Sequence, residues 1–143
     1  MHPDRPQAPG YLANLMARLF HEVSGDGLHP LGIRPEQFPI LIALWFDSGA
    51  SRASLADTQE MHLDDLDALL GTMADDGLIE GVPASADANI VLTEKAMTSR
   101  DAAVAVARRA NQAAVAALGE AEMAQFLALM NRVIDALQAA RTV

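Results

Sequence analysis

The chain has 143 residues, of which 51% are hydrophobic and only 4% aromatic, and its formal net charge is -9. This length suits one domain with a buried core, and a composition rich in Ala, Leu, Val and Ile predicts a mainly α-helical fold. The absence of cysteine excludes disulfides, thiolate nucleophiles and Cys-ligated zinc, and the acidic balance opposes non-specific attraction to nucleic acid or anionic lipid.

The first two helices are predicted from apolar residues at helical spacing. Helix 1 runs from about Tyr11 to Ser24, where the sequence SGDG predicts its end. Pro35 is a good first helical residue and begins helix 2. Pro39 also falls in the first turns of that helix, where few backbone donors are needed, so we expect at most a slight bend.

The next two helices are predicted to be short and to lie close together in the chain. Ser51 is a candidate N-cap for helix 3. Helix 4 carries an apolar side and a polar side, and Gly77 stops it. The apolar side comprises Leu63, Leu66, Leu69, Leu70 and Met73.

The remainder of the chain predicts a small β-hairpin followed by two long helices. Two short strands, Leu78 to Glu80 and Asn89 to Leu92, are joined by a turn rich in Pro, Ala and Ser. An Ala-rich helix follows from about Glu94 to Leu118, and a final apolar helix begins after Gly119. The predicted fold class is therefore mainly α with a small β-hairpin.

The negative charge is concentrated in the middle of the chain. No Lys or Arg occurs from Ala53 to Glu94. The acidic residues of this segment are Asp57, Glu60, Asp64, Asp65, Asp67, Asp75, Asp76, Glu80, Asp87 and Glu94. We therefore expect any interaction surface built from this segment to be acidic.

The order of these elements, with several stretches of sequence, resembles the MarR family of winged helix-turn-helix transcriptional regulators. The stretch LGIRPEQFPILIALW is similar to the entry into the family's second helix, SLADTQEM to its first turn-helix, and GLIE to the end of its recognition helix. IVLTEKA is similar to the return strand of the wing with helix 5, and LGEAEMAQFLALMNRVI to the last helix. The resemblance covers about Tyr11 to Leu137.

This resemblance implies one winged-helix domain over residues 1–143 that forms a homodimer. The helix-turn-helix and wing would span about residues 35–93, and the dimerisation helices about 11–24 and 94–140. The terminal helices carry apolar side chains that need partners in a second copy of the chain.

In this family the free face of helix 4 usually carries Ser, Thr and Arg that reach bases and phosphates. The matching positions here hold Asp64, Asp65, Asp67, Ala68, Gly71 and Thr72. The wing, GVPASADAN, is short and contains neither Arg nor Lys. Because specific DNA binding depends largely on cations that neutralise phosphates, we predict that DNA binding is weak or absent.

Two alternatives follow for the regulator. The chain is either a homodimer that acts through protein contacts or a ligand, or an ordinary DNA-binding repressor that responds to a small molecule, with phosphate contacts from Arg52 and Arg34. The aspartates are either a solvated face or a surface for a basic DNA-binding protein or a related regulator. A ligand-binding dimer without a regulatory role is a third option.

A possible pocket for a small aromatic ligand involves His21, His29, Phe38 and Trp45, because related regulators bind such ligands near these elements. The alternative is that the two aromatic residues are core and the histidines are surface. His62, Asp64 and Asp65 are neighbours in sequence and do not supply converging metal ligands, so we expect no metal site and no cofactor.

Enzyme activity and membrane association are not expected. The sequence lacks a GxSxG elbow and a phosphate-binding loop. The longest apolar run, FPILIALWF, is about half as long as a membrane-spanning helix, and the first ten residues lack an apolar signal region. We therefore expect a soluble, cytoplasmic protein.

Overall fold

The computed structural model describes residues 4–47 and 49–141. Within these residues the chain is mainly helical, as predicted. The helices are α1 (Pro9–Leu28), α2 (Phe38–Phe46), α3 (Arg52–Thr58), α4 (Leu63–Asp75), α5 (Glu94–Val115) and α6 (Glu120–Arg141). Two 3-10 turns, His29–Leu31 and Pro35–Gln37, connect α1 to α2.

The chain divides into two compact units, Met1–Arg108 and Arg109–Val143. The core of the first unit is built from the apolar side chains of α2 and α4 together with residues that follow each helix. Leu41, Leu66, Leu70, Met73 and Leu78 are fully buried. The apolar side that spacing predicted for α4 is confirmed for Leu66, Leu70 and Met73, whereas Leu63 is partly exposed at 37%.

α1 is longer than predicted, and the sequence SGDG does not end it. The helix continues through Gly25 and Gly27 to Leu28. A Cβ atom at Gly27 would lie 2.7 Å from a methyl carbon of Val106, which belongs to α5. Glycine at this position therefore serves close packing between two helices, which outweighs its low helix propensity.

The predicted start of α3 and the predicted end of α4 are confirmed by their caps. The Ser51 hydroxyl accepts a hydrogen bond from the Ser54 N–H at 3.2 Å, and the Ser54 hydroxyl accepts one from the Ser51 N–H at 2.8 Å. Gly77 follows α4 with a φ of +75°. The Leu78 N–H donates to the Met73 carbonyl at 2.9 Å, which satisfies one of the last carbonyls of the helix.

The predicted β-hairpin is not seen as strands in the described residues. Isolated antiparallel bridges pair Ile79 with Leu92 and Ser51 with Asn89. The segment that was expected to form the second strand thus divides its pairing between two partners, Ile79, which follows α4, and Ser51, which precedes α3. Pro83 also lacks a backbone donor, so regular pairing cannot extend into the turn.

The second unit contains the end of α5 and the whole of α6, with Gly119 between them as predicted. Large apolar side chains of α6 are exposed in the single chain: Leu127, Leu129, Met130, Val133, Ile134 and Leu137. Among the described residues, no single helix has the length and apolar composition needed to cross a membrane, and α5 and α6 meet that test only as a bent pair.

Candidate functional site

The outward face of α4 is acidic at its beginning. Asp64 and Asp65 are exposed in the first turn of α4, and Ala68 is exposed one turn further on. In the described part of the chain, neither carboxylate makes an ion pair or a side-chain hydrogen bond. Gly71 is half-buried, and a Cβ atom there would have no neighbour within 4 Å, so the helix surface is open at this point.

Asp67 differs from these two aspartates because it is paired with Arg52. The Arg52 Nε donates to Asp67 Oδ1 and the Arg52 Nη2 donates to Oδ2, both at 2.8 Å. The Arg52 guanidinium holds the pKa of Asp67 below its ordinary value, chiefly through these hydrogen bonds and against the opposing effect of desolvation. Asp67 therefore does not present a free carboxylate like those of Asp64 and Asp65.

Thr72 also lies differently from its predicted place on the free face. It is half-buried, and its hydroxyl donates to the Leu69 carbonyl at 2.7 Å. The same hydroxyl accepts a hydrogen bond from Gln37 Nε2 at 3.2 Å. The structure thus turns Thr72 toward the interior, where its hydroxyl satisfies a buried amide.

Gln37 is the fully buried polar residue of this region, and sequence reasoning missed it. Its Oε1 accepts from the Arg34 N–H at 2.9 Å, and its Nε2 also donates to Asp76 Oδ2 at 2.9 Å. Asp76 caps the end of α4 and forms an ion pair with Arg34, whose Nε lies 3.0 Å from Asp76 Oδ2. The pKa of Asp76 is lowered, first by the Gln37 hydrogen bond and then by those of Arg34, against desolvation.

The two arginines predicted to contact phosphate are therefore both paired with aspartates at α4. Arg52 is the more enclosed, with its side chain 13% exposed, whereas that of Arg34 is 53% exposed. Arg34 retains a solvent-accessible guanidinium, and its role in phosphate binding stays a prediction. Arg52 would have to leave Asp67 to reach a phosphate.

The wing segment (residues 81–89) lies along the start of α3. The Ala53 N–H donates to the Ala86 carbonyl at 3.0 Å, and the Ile90 N–H donates to the Ala50 carbonyl at 2.9 Å. Arg52 Nη1 donates to the carbonyls of Pro83 and Ala84, at 3.1 and 3.2 Å. These contacts hold the wing segment through its backbone atoms, so its short sequence without Arg or Lys suffices for the packing.

Neither of two cavities in the described residues is lined by all four residues predicted to form a ligand pocket. The rings of Phe38 and Trp45 meet edge to face with centroids 6.0 Å apart, and Trp45 Nε1 donates to the Ala96 carbonyl at 3.0 Å. Trp45 lines a cavity of about 390 Å³. The other residues around this cavity are Leu44, Ile90, Val91, Leu92, Met97 and Arg100.

The two histidines lie outside that cavity. His29 lines a separate cleft of about 240 Å³ with Gly32, Ile33, Arg34, Asp76 and Lys95. His21 is exposed on α1 and lines neither space. Sequence reasoning missed Met97 and Arg100, although their positions three residues apart place them on one side of α5.

Among residues 4–47 and 49–141, no three His, Asp or Glu side chains converge closely enough to hold a metal ion.

The arrangement described above is that of a winged helix-turn-helix with long terminal helices. No protein-family model matches the sequence, and no curated protein matches it significantly. Solved structures do match. The S. aureus MepR–DNA complex aligns with a TM-score of 0.78 and 22% identity over 91% of this chain and 96% of that chain.

Two further structures extend this likeness. A MarR transcriptional regulator from Methanosarcina mazei aligns with a TM-score of 0.75 and 19% identity, covering 91% of this chain and 96% of that one. A MarR-family protein of Mycobacterium tuberculosis, in complex with salicylic acid, aligns with a TM-score of 0.60 and 23% identity over 90% and 97% of the two chains. The chain therefore has the fold of MarR-family transcriptional regulators.

Proposed function

We propose that this chain is a MarR-like transcriptional regulator with a weakened or lost operator-reading surface, which acts as a homodimer through protein contacts or a small ligand. The observation that carries the proposal is the charge on α4, the helix that corresponds to the DNA-reading helix of the family. Its outward face presents Asp64 and Asp65 without a cation beside them in the described residues. The M. mazei structure of the same fold is named as a transcriptional regulator, and we infer that this chain is not an enzyme.

The weak binding follows from how proteins attract DNA. Affinity depends on Lys and Arg that neutralise phosphates and release counterions. From Ala53 to Glu94 the chain supplies none, and Arg52, just before this segment, is paired with Asp67. An exposed carboxylate that faces a phosphate adds repulsion to this missing attraction.

Fluorescence anisotropy with the DNA upstream of the chain's own gene tests the proposal. We expect weak binding at low salt and a shallow dependence of the association constant on salt, because each phosphate contact contributes only about 0.9 to the logarithmic slope. A nanomolar complex with a steep salt dependence contradicts the proposal and supports an ordinary repressor.

The homodimer is inferred from apolar surface that a monomer would leave in water. On α1, Tyr11, Leu19 and Val23 are 47 to 56% exposed, and α6 carries a longer series of exposed apolar side chains. A second copy of the chain offers the same two surfaces, as two-fold assembly requires. Light scattering at micromolar concentration is expected to give the mass of a dimer, and a monomeric mass contradicts this part of the proposal.

Protein contact is proposed through the first turn of α4. Asp64 and Asp65 form an exposed negative surface that complements a basic DNA-binding protein or a related regulator. We expect the double variant Asp64→Ser and Asp65→Ser to weaken binding to a basic regulator that co-purifies with the chain, most strongly at low salt. Homodimer mass and helicity serve as controls, and equal binding by both forms at every salt concentration shows that the carboxylates are only a solvated face.

The ordinary ligand-responsive repressor is the second candidate, and the cavity beside Trp45 favours it. The cavity combines an apolar lining with Arg100, whose Nε also lies 3.3 Å from the exposed Asp101 carboxylate, and a cation beside apolar surface suits a small aromatic acid. The M. tuberculosis structure described above holds salicylic acid. By analogy, we propose an aromatic carboxylate as the ligand class here.

Trp45 is the single tryptophan of the chain, so its fluorescence reports on this cavity directly. Titration with salicylate is expected to change the emission, and Arg100→Gln to lower the apparent affinity about tenfold, the usual loss for about 1.4 kcal/mol. Arg108→Gln, an exposed change on the same helix, is the control. An unchanged emission at millimolar salicylate contradicts this candidate.

A further inference from the structure

Arg52 connects three parts of the winged-helix region through one guanidinium. It is the first residue of α3, and it donates two hydrogen bonds of 2.8 Å to Asp67 in the middle of α4. Its remaining terminal nitrogen donates to the carbonyls of Pro83 and Ala84 in the wing segment. The wing segment is thus tied to α4 through a side chain that belongs to neither.

This connection limits what the guanidinium can do. An arginine side chain has five N–H donors in a fixed planar arrangement. In Arg52 the Nε, Nη1 and Nη2 atoms are all engaged, and the side chain is 13% exposed. A phosphate outside the protein would therefore have to compete with Asp67 for this guanidinium.

Asp67 controls the connection because it supplies the charged partner. The carbonyls of Pro83 and Ala84 carry only partial charge. The Asp67 carboxylate, in contrast, accepts two hydrogen bonds from the guanidinium and fixes its plane. The Ala53 N–H bond to the Ala86 carbonyl continues the same contact along the backbone. The wing segment is thus held along α3 by this backbone hydrogen bond and by a guanidinium that Asp67 orients.

We propose that Arg52 and Asp67 form a clamp that positions the wing segment and withholds the Arg52 cation from DNA phosphate. Asp67 is a positioning residue in this arrangement and not part of a surface for a basic partner. The clamp rests on the proposed function only in taking DNA phosphate as the anion that a released Arg52 would contact. The clamp also gives Asp67, one of the α4 aspartates, a role inside the protein as the partner of Arg52.

The decisive comparison is between Asp67→Ala and Asp64→Ala. Both variants remove one negative charge from α4 and introduce the same helix-favouring residue, but only the first releases Arg52. Binding to a labelled duplex of mixed sequence is measured by anisotropy over a range of salt. We expect Asp67→Ala to steepen the logarithmic salt slope by about 0.9 relative to Asp64→Ala, as one new phosphate contact requires.

The same expectation can be stated as a fold-change and traced to Arg52. When salt falls from about 0.2 M to about 0.05 M, the association constant of Asp67→Ala gains about threefold more than that of Asp64→Ala. Adding Arg52→Gln to Asp67→Ala abolishes this extra gain. A purely structural role of the pair predicts no such gain in either variant.

Hydrogen exchange measures the positioning half of the proposal. The Ala53 amide is expected to exchange faster in Asp67→Ala and in Arg52→Gln, because its acceptor at Ala86 moves with the wing segment. Asp64→Ala leaves this exchange at the wild-type rate.

Equal salt slopes in Asp67→Ala and Asp64→Ala, including the absence of DNA binding by both, overturn the proposal, and so does unchanged exchange at Ala53. These outcomes are independent of the function proposed above. Tight DNA binding by the wild type contradicts that function, yet the comparison of the two alanine variants still decides the clamp.

Discussion

Replacing Gln37 with leucine tests the buried polar network that joins the entry of α2 to the end of α4. The Gln37 side chain is fully buried and makes hydrogen bonds to the Arg34 N–H, the Thr72 hydroxyl and the Asp76 carboxylate. Two of these are bonds between neutral groups, each with a net value of about 0.5–1.5 kcal/mol, and the bond to the carboxylate contributes about 1.5–3 kcal/mol.

The expected loss is smaller than the sum of these values. Leucine restores apolar burial at the site, Thr72 keeps its bond to the Leu69 carbonyl, and Asp76 keeps its ion pair with Arg34. We therefore expect Gln37→Leu to lower the free energy of unfolding by about 2–3 kcal/mol at neutral pH.

The loss should depend on pH in a defined direction. The pKa of Asp76 is lowered in the folded protein, chiefly by Gln37, so its contribution is present above the unfolded pKa of about 3.9 and is lost as the pH falls through the folded value. In Gln37→Leu the Asp76 pKa moves back toward its ordinary value. The difference between variant and wild type should therefore be largest at pH 7 and shrink below about pH 4.

Urea denaturation measures both the loss of unfolding free energy and its dependence on pH. The protomer concentration is kept fixed because the stability of an oligomer depends on it. Glu36→Leu, an exposed change in the same turn, is the control and should alter stability by less than about 0.5 kcal/mol. If Gln37→Leu costs no more than this control, or the same amount at pH 7 and at acid pH, the network does not stabilise the fold as inferred.

Three further changes test other contacts. Gly27→Ala should destabilise the protein by about 1–3 kcal/mol in urea denaturation because its Cβ meets a packed neighbour, whereas Gly10→Ala in the same helix has open space and should not. Thr93→Ala removes a hydroxyl that caps the start of α5 and should cost about 1 kcal/mol in the same assay, with Thr98→Ala as a mid-helix control that costs nothing. Leu137→Asp, on the exposed apolar side of α6, should shift the light-scattering mass toward a monomer, and an unchanged mass contradicts a role for α6 in the dimer.

Local patterns in the sequence predicted the helices and two of their ends, the start of α3 and the end of α4. The caps at Ser51 and Gly77 depend on residues within a few positions of the helix terminus, and the structure confirms both. The buried side of α4 follows from helical periodicity and is confirmed at Leu66 and Leu70. These features are decided by neighbours in sequence, so the sequence alone suffices for them.

Features decided by distant partners were not predictable in the same way. The length of α1 depends on the packing of Gly27 against Val106, a residue nearly eighty positions away in the sequence. The orientation of Thr72 depends on Gln37, and that of Asp67 on Arg52. The prediction of two strands was wrong because their pairing is divided. Asn89 pairs with Ser51, just before α3, whereas Leu92 pairs with Ile79, after α4.

The candidate site shows why a count of charges overstates the acidic surface of α4. Periodicity placed Asp64, Asp65 and Asp67 on one free face, but a carboxylate contributes fully to an electrostatic surface only where no cation neutralises it. Arg52 neutralises Asp67, and Arg34 neutralises Asp76 at the end of the helix. The outward charge thus lies at Asp64 and Asp65 in the first turn of α4 and at Asp75 in its last turn, while the two ion pairs hold adjacent segments of the chain. The weak DNA binding that we propose then has two separable causes, repulsion by the exposed carboxylates and the pairing of Arg52 and Arg34 with aspartates, and only the second can be reversed by releasing a cation that the chain already contains.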